Sequence, residues 1–232
     1  MLTMHDQAVI LDDAISESDL ASMLEFAKGS LPYQEALLKM ESGESFYKFM
    51  PLSFNSNKSD SVNDDLNESV KRSHKVLYDI LLEKTSLPVL SEEHCGISVC
   101  VNFSMGYHAD AERPHCQVDR NLGQPEDHGH EGFKNPSKNE WQPNHTPTRI
   151  YTTLIYLSDD FEGGETTLPL RNIDTKPKTR RLFGFPCHRD YIHGVRRNTG
   201  GIRIAFTAWY KVAESQAILK DPYGFKDVTC LS

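Results

Sequence analysis

After Pro88 the hydrophobic period of this chain changes from that of helices to that of strands, and it stays there. Residues 96–103 (GISVCVNF) alternate and are rich in β-formers, as are 149–157 (RIYTTLIYL), 165–170, 181–185 and 202–210 (IRIAFTAWY). Helical signals precede Pro88. Ser16 reads as an N-cap with Glu17 and Asp19 in the first turn, and an amphipathic helix runs through Leu20, Met23, Leu24 and Phe26 to about Gly29. Asp19 stands at the capping-box position, where Glu or Gln is usual. A second helix, roughly 66–85, carries Val70, His74, Leu77, Ile80 and Leu81 on one face, suited to packing on a sheet. Residues 7–13 read as a short strand and 50–65 as a polar loop. Helices first and strands afterwards specify a mainly β chain with supporting N-terminal helices, an antiparallel sandwich or barrel. They do not specify a βαβ doubly wound sheet.

The chain has 232 residues, 38% of them hydrophobic, enough for the core of one domain. No run of about 18 apolar residues is present, so no transmembrane helix and no membrane partner is expected. The first residues, with His5, Asp6, Asp12 and Asp13, lack the basic start and apolar stretch of a secretory signal, and a cytoplasmic protein is expected. Lys plus Arg is 25 and Asp plus Glu 33, giving a net charge of −8, which disfavours a nucleic-acid partner. Arg180, Arg181, Arg189, Arg196 and Arg197 nevertheless form a local basic cluster open to small anions. Five cysteines without a CxxC pair read as free thiols, and no glycine-rich phosphate loop is present. Oligomeric state is not legible.

Three features carry chemistry. His108-Ala109-Asp110 follows the strand 96–103, His193 follows the strand 181–185, and Arg203 lies on the last strand. Two histidines and one carboxylate on one face, with other positions open, suit non-haem Fe(II) and leave about one net positive charge on the ion. Residues two apart on a strand share a face, so His108 and Asp110 can point into one cavity. On the last strand Arg203, Ala205, Thr207 and Trp209 share a face, and Ile202, Ile204 and Phe206 share the other. An arginine among apolar neighbours on a core-facing strand requires an anion. His115, His128, His130 and His145 fit no zinc spacing and read as solvated, while Trp209 and Phe185 read as core.

These residues sit in longer stretches: YHADAE (107–112), RIYTTLIYLSDDFEGGET (149–166) and IHGVRRNTGGIRIAFTAWY (192–210). In order and spacing the chain resembles the Fe(II)- and 2-oxoglutarate-dependent prolyl hydroxylases, closest to the prolyl 3-hydroxylase (leprecan-like) branch. The resemblance covers residues 96–211 and implies a double-stranded β-helix, a jelly-roll form of the sandwich. It also implies Fe(II), 2-oxoglutarate and O2 as cofactors, with ascorbate as a helper. His108, Asp110 and His193 match the iron ligands. Arg203 matches the residue that binds the distal carboxylate of 2-oxoglutarate, Tyr156 a tyrosine supporting it, and Thr207 is a further hydroxyl for that pocket. Arg149 matches a substrate-contacting arginine of oxygen-sensing relatives. The carboxylate ligand Asp110 leaves no vacant halide position on iron, so halogenation is not expected.

A single domain is therefore expected over 1–232: helical support and first strand over 1–95, a catalytic β core over 96–211, a lid or substrate loop at 111–148, and a tail at 212–232. Collagen-directed relatives carry a long helical-repeat region and a retention signal that this sequence does not show. The expected substrate is accordingly small: a free or carrier-bound proline-like amino acid, or a short peptide, in a biosynthetic setting. Desaturation or oxidative cyclisation is the alternative outcome on the same cofactors, and peptidyl prolyl hydroxylation a second alternative. A binding protein retaining the fold is the competing class.

Overall fold

Odd and even residues of the last long strand, Arg203–Val212, go to different sides of a seven-stranded antiparallel sheet, and the whole architecture follows from that split. The structure is a computed structural model and describes residues 2–5, 8–52, 64–84, 90–115, 121–125 and 133–212. In spatial order the large sheet runs Leu2–His5, Ala8–Leu11, Leu182–Pro186, Arg149–Tyr156, Arg203–Val212, Leu90–Val101, Phe46–Leu52. A four-stranded sheet runs Ile173–Thr175, Thr166–Leu168, His193–Val195, Met105–His108. Neighbours in both sheets are antiparallel, and two two-stranded ladders complete the described strands. This is the double-stranded β-helix expected from the resemblance.

One core lies between the large sheet and the helices. Ile97, Val99, Ile204, Phe206, Ala208 and Tyr210 pack there with Met23, Ala27, Ala36, Leu66 and Val70. A smaller core with Leu154, Leu168, Ile173, Phe183, Phe185 and Ala205 includes residues of both sheets. Helix α1 (Glu17–Gly29) starts where the sequence places it: Ser16 Oγ accepts from the Asp19 backbone N–H at 3.1 Å and donates to Asp19 Oδ2 at 2.7 Å. Asp19 Oδ2 takes the Ser16 hydroxyl, and Oδ1 accepts from both Nη2 and Nε of Arg72 of helix α3 (Asp64–Lys84), at 2.6 and 2.9 Å.

Three N-terminal elements are absent from the sequence reading, the first being the edge strand Leu2–His5. Helix α2 (Leu31–Ser42) follows α1 after the single residue Ser30, which caps it from the Tyr33 N–H. Strand Phe46–Leu52 then forms the far edge of the large sheet. It takes in the first three residues of the expected 50–65 loop, whose positions 53–63 lie outside the described residues. Of the α3 face, Val70 is in the core and His74 stacks edge-on to Phe206 and Tyr210, while the side chains of Leu77 and Leu81 lie outside the description.

The 111–148 segment is not wholly loop: Glu112–Pro114 pairs with Trp141–Pro143. His128, His130 and Cys116 of that segment, and the tail beyond 212, lie outside the described residues. The basic cluster is largely engaged in ion pairs. Arg180 meets Asp13 and Glu17, Arg181 meets Asp12, Arg189 meets Glu112, and Arg196 meets Asp174. Cys95, Cys100 and Cys187 are buried free thiols.

Candidate active site

His108 closes the strand Met105–His108 and His193 opens the strand His193–Val195, and the two stand directly opposite each other in the antiparallel register. Cross-strand partners project to one face, so their rings meet with centroids 4.2 Å apart. Asp110 is not on a strand, as parity suggested. It occupies a bend just past the end of the His108 strand, 8% exposed, and reaches the same point from there. One ligand atom from each of the three residues falls within 4.8 Å of the others. His108 Nε2 is 3.8 Å from Asp110 Oδ1, and His193 Nε2 is 3.8 Å from Asp110 Oδ2.

Outer contacts fix how each ligand points. His108 Nδ1 lies 2.9 Å from the Gly106 carbonyl and His193 Nδ1 3.2 Å from the Tyr191 carbonyl. A carbonyl can only accept, so both rings hold their proton on Nδ1 and present the Nε2 lone pair to a cation. Burial, with His108 beside it, drives the His193 pKa down to about 4 against the pull of Asp110, so that ring stays neutral and ready to ligate. Burial opposes the charge on Asp110. Even so, the two histidines and the hydroxyl and indole donors hold its pKa below the ordinary carboxylate value. Those donors are Thr152 Oγ1 and, at 3.1 Å, Trp209 Nε1, both on Oδ2. The Asp110 carbonyl in turn accepts from Thr146 Oγ1 at 2.7 Å and Asn144 Nδ2 at 2.9 Å.

The three candidate ligands open into a pocket enclosing about 580 Å3, its open mouth included. Arg203, 5% exposed, lines it, together with Thr207, Thr166, Leu154, Phe185 and Val195. The Arg203 Nε donates to the Gly164 carbonyl at 3.3 Å, and its guanidinium lies 5.2 Å from the centre of the Tyr156 ring. Gly164 needs its φ of +72°, and a Cβ there would come within 3.2 Å of Arg203 Cδ. No carboxylate among the described residues pairs with Arg203. A buried guanidinium without a carboxylate is costly unless an anion arrives. The donor set fits a divalent ion, and ion and Arg203 together carry about two net positive charges, which matches a dicarboxylate.

Tyr156 does not line the pocket. It is fully buried, with its hydroxyl 2.9 Å from Thr166 Oγ1 and 3.1 Å from the Thr175 carbonyl, and it reaches the site through Arg203 and Thr166. Arg149 sits with its guanidinium 4.4 Å from the Trp209 ring centre. Trp209 itself stacks on His94 at 5.8 Å and meets Phe49 at 5.6 Å, so it is part of the site's frame and not only core. Tyr47 also lines the pocket, and it, Thr152 and Trp209 are among the site residues that the sequence reading missed. Thr152 and Trp209 carried one signal, since both lie on strands already assigned and share the inward parity of the pocket.

Residues 102–211 match the family model for the 2OG-Fe(II) oxygenase superfamily. Among curated proteins, prolyl 3-hydroxylase 2 of Rattus norvegicus and of Homo sapiens is 37% identical over 82 residues, 32% of this chain and 12% of theirs. Among solved structures, the viral collagen prolyl hydroxylase of Paramecium bursaria Chlorella virus-1, in its 2OG complex, aligns with TM-score 0.56 and 14% identity over 90% of this chain and 97% of its own. A Trichoplax adhaerens prolyl hydroxylase, in complex with a hypoxia inducible factor peptide, aligns with TM-score 0.54 and 16% identity over 92% and 87%. Fold and site thus define a double-stranded β-helix with a candidate metal centre of two histidines and one carboxylate. Just under half of the chain is similar to the 2OG-Fe(II) oxygenase superfamily, and its fold is that of solved prolyl hydroxylases. Its match spans only about an eighth of the length of the curated relatives. No described helix is long and apolar enough to cross a membrane.

Proposed function

We propose that this protein hydroxylates an unactivated C–H bond of a proline-like unit, carried by a free or tethered amino acid or a short peptide. The observation that carries the reading is the His108–Asp110–His193 cluster sharing one pocket with the buried Arg203. Iron with 2-oxoglutarate would supply the oxidising power, through oxidative decarboxylation to succinate and CO2. His108, Asp110 and His193 would hold the ion. Their backbone-fixed Nδ1 protons, and the two donors on Asp110 Oδ2, keep that geometry before any ligand arrives. Arg203 takes the distal carboxylate through its guanidinium fork, with Thr207 beside it and Tyr156 behind it. Leu154, Phe185 and Val195 keep water from the cosubstrate end.

Arg149, above the Trp209 ring beside the metal carboxylate, is the residue we assign to the substrate. The 111–148 segment is assigned to substrate closure, because it borders Asp110 and ties down its carbonyl through Asn144 and Thr146. Peptidyl proline is the second reading, favoured by the names of the prolyl 3-hydroxylase relatives. The test is succinate release with Fe(II), 2-oxoglutarate and ascorbate, against free amino acids and proline-containing peptides, short and long, with products weighed by mass spectrometry. Stimulation by an amino acid or a short peptide with gain of one oxygen supports the first reading, and stimulation by long proline-containing polypeptides alone supports the second. Loss of two hydrogens replaces hydroxylation with desaturation or cyclisation. No succinate from iron-loaded protein refutes both readings.

A further inference from the structure

The strand Phe46–Leu52 lies outside the stretch that matches the oxygenase family, yet its Tyr47 lines the candidate active-site pocket. Its Tyr47 is opposite Cys100, and Cys100 is opposite Arg203 on the next strand. Residues opposite one another in adjacent antiparallel strands project to the same face. Tyr47, Cys100 and Arg203 therefore form one inward row across three strands, and all three line the pocket that also contains the metal-ligand cluster. Strands are spaced about 4.8 Å apart, which puts the Tyr47 backbone about 10 Å from that of Arg203, a gap that a tyrosine side chain reaching inward can largely span.

The Tyr47 ring is held in place. It stacks on Phe103 with centroids 4.8 Å apart and planes at 24°, and the Phe103 N–H donates to Asn198 Oδ1 at 3.2 Å. The side is open enough for a ligand, since Tyr47 remains 39% exposed at the mouth. Burial, then Cys100, raises the Tyr47 pKa, and the hydroxyl also feels the charges of Arg203 and Asp110. It is thus a neutral donor placed within the field of both the anion anchor and the metal carboxylate. Cys100, the other member of the row, is a buried thiol whose pKa is raised by burial, so it brings no charge to compete for the anion.

Resting on the functional reading above, we infer that Tyr47 is a cosubstrate-binding residue, its phenol hydroxyl donating to the 2-oxoglutarate dianion held between the metal cluster and Arg203. The strand Phe46–Leu52 is then part of the catalytic unit and not only its support.

The experiment is binding of 2-oxoglutarate to the Mn(II)-loaded full chain without oxygen, measured by calorimetry, for wild type, Tyr47→Phe, Tyr47→Ala and Arg203→Ala. Removing a hydrogen bond to a charged ligand weakens binding by about tenfold or more, so Tyr47→Phe should raise the Kd by about that factor, with Mn(II) affinity and melting temperature unchanged. Tyr47→Ala should weaken binding at least as much. A Tyr47→Phe Kd within twofold of wild type, while Arg203→Ala abolishes binding, overturns the inference and leaves the functional reading standing. Wild type that binds Mn(II) but not 2-oxoglutarate overturns both.

Discussion

Replacing Trp209 by Phe tests whether the site's carboxylate is positioned or merely present. Asp110 Oδ2 is held by two donors, Thr152 Oγ1 and Trp209 Nε1, leaving Oδ1 directed toward His108. Phenylalanine keeps a ring to stack on His94, to meet Phe49 and to lie under Arg149, but it has no N–H. The change thus removes one charge-assisted bond of about 1.5–3 kcal/mol gross. Part of that returns as Thr152 and the metal take up the freed lone pair. Loss of an outer partner of this kind typically weakens metal binding by about 10–100-fold, equivalent to about 1.4–2.7 kcal/mol.

Mn(II) titration of the apo protein by calorimetry, beside thermal unfolding of the same samples, reads both quantities. The expected result is a Kd raised at least tenfold with a folded protein. Thr152→Val should show a loss of similar size, and the double variant less than the sum, because the two donors share one oxygen. A Trp209→Phe Kd within twofold of wild type, in protein that unfolds cooperatively, would show that the indole bond does not orient the ligand.

Two further outcomes concern stability. Burial pushes the His74 pKa down to about 4, while the unfolded chain titrates near the ordinary 6.5. The unfolded state therefore binds a proton that the native state refuses: stability is full above pH 6.5 and falls as pH drops from there toward 4. Between pH 7.5 and 5 this single group should cost about 2 kcal/mol, and His74→Gln should flatten the urea-unfolding difference between those two pH values by that amount; an equal difference in both proteins refutes the assignment. At Gly96 an added Cβ would stand 2.3 Å from the Met50 carbonyl and 2.5 Å from the Phe49 ring, so Gly96→Ala should destabilise the chain by about 1–3 kcal/mol in urea unfolding. An unchanged midpoint would mean that the edge strand Phe46–Leu52 yields freely.

Legibility in the sequence followed the range of the interactions involved. Helix α1 was readable to its cap because Ser16, Glu17 and Asp19 act on backbone groups one turn away. The long inner strands were readable because side-chain alternation is a property of each strand alone, and the parity that sends Arg203, Thr207 and Trp209 inward holds in the fold. Strand Phe46–Leu52 escaped notice because it is a half-exposed edge strand, and its weak alternation reports little burial. Helix α2 was equally faint, with only Ala36 fully buried and Leu31 and Leu38 exposed.

The sequence by itself determined helix α1, helix α3 and the long inner strands, the three side chains that could hold a metal, and the face of the last strand on which Arg203 lies. Each of these depends on residue chemistry or on spacing within a single segment. Only the tertiary structure decided that His108 faces His193 across a ladder, that Trp209 and Thr152 hold Asp110, and that Tyr47 lies in a row with Arg203. Those facts depend on the register between strands far apart in the chain. Register is set by the packing of whole sheet faces, because a slip of one residue would turn every side chain of a strand to the opposite face.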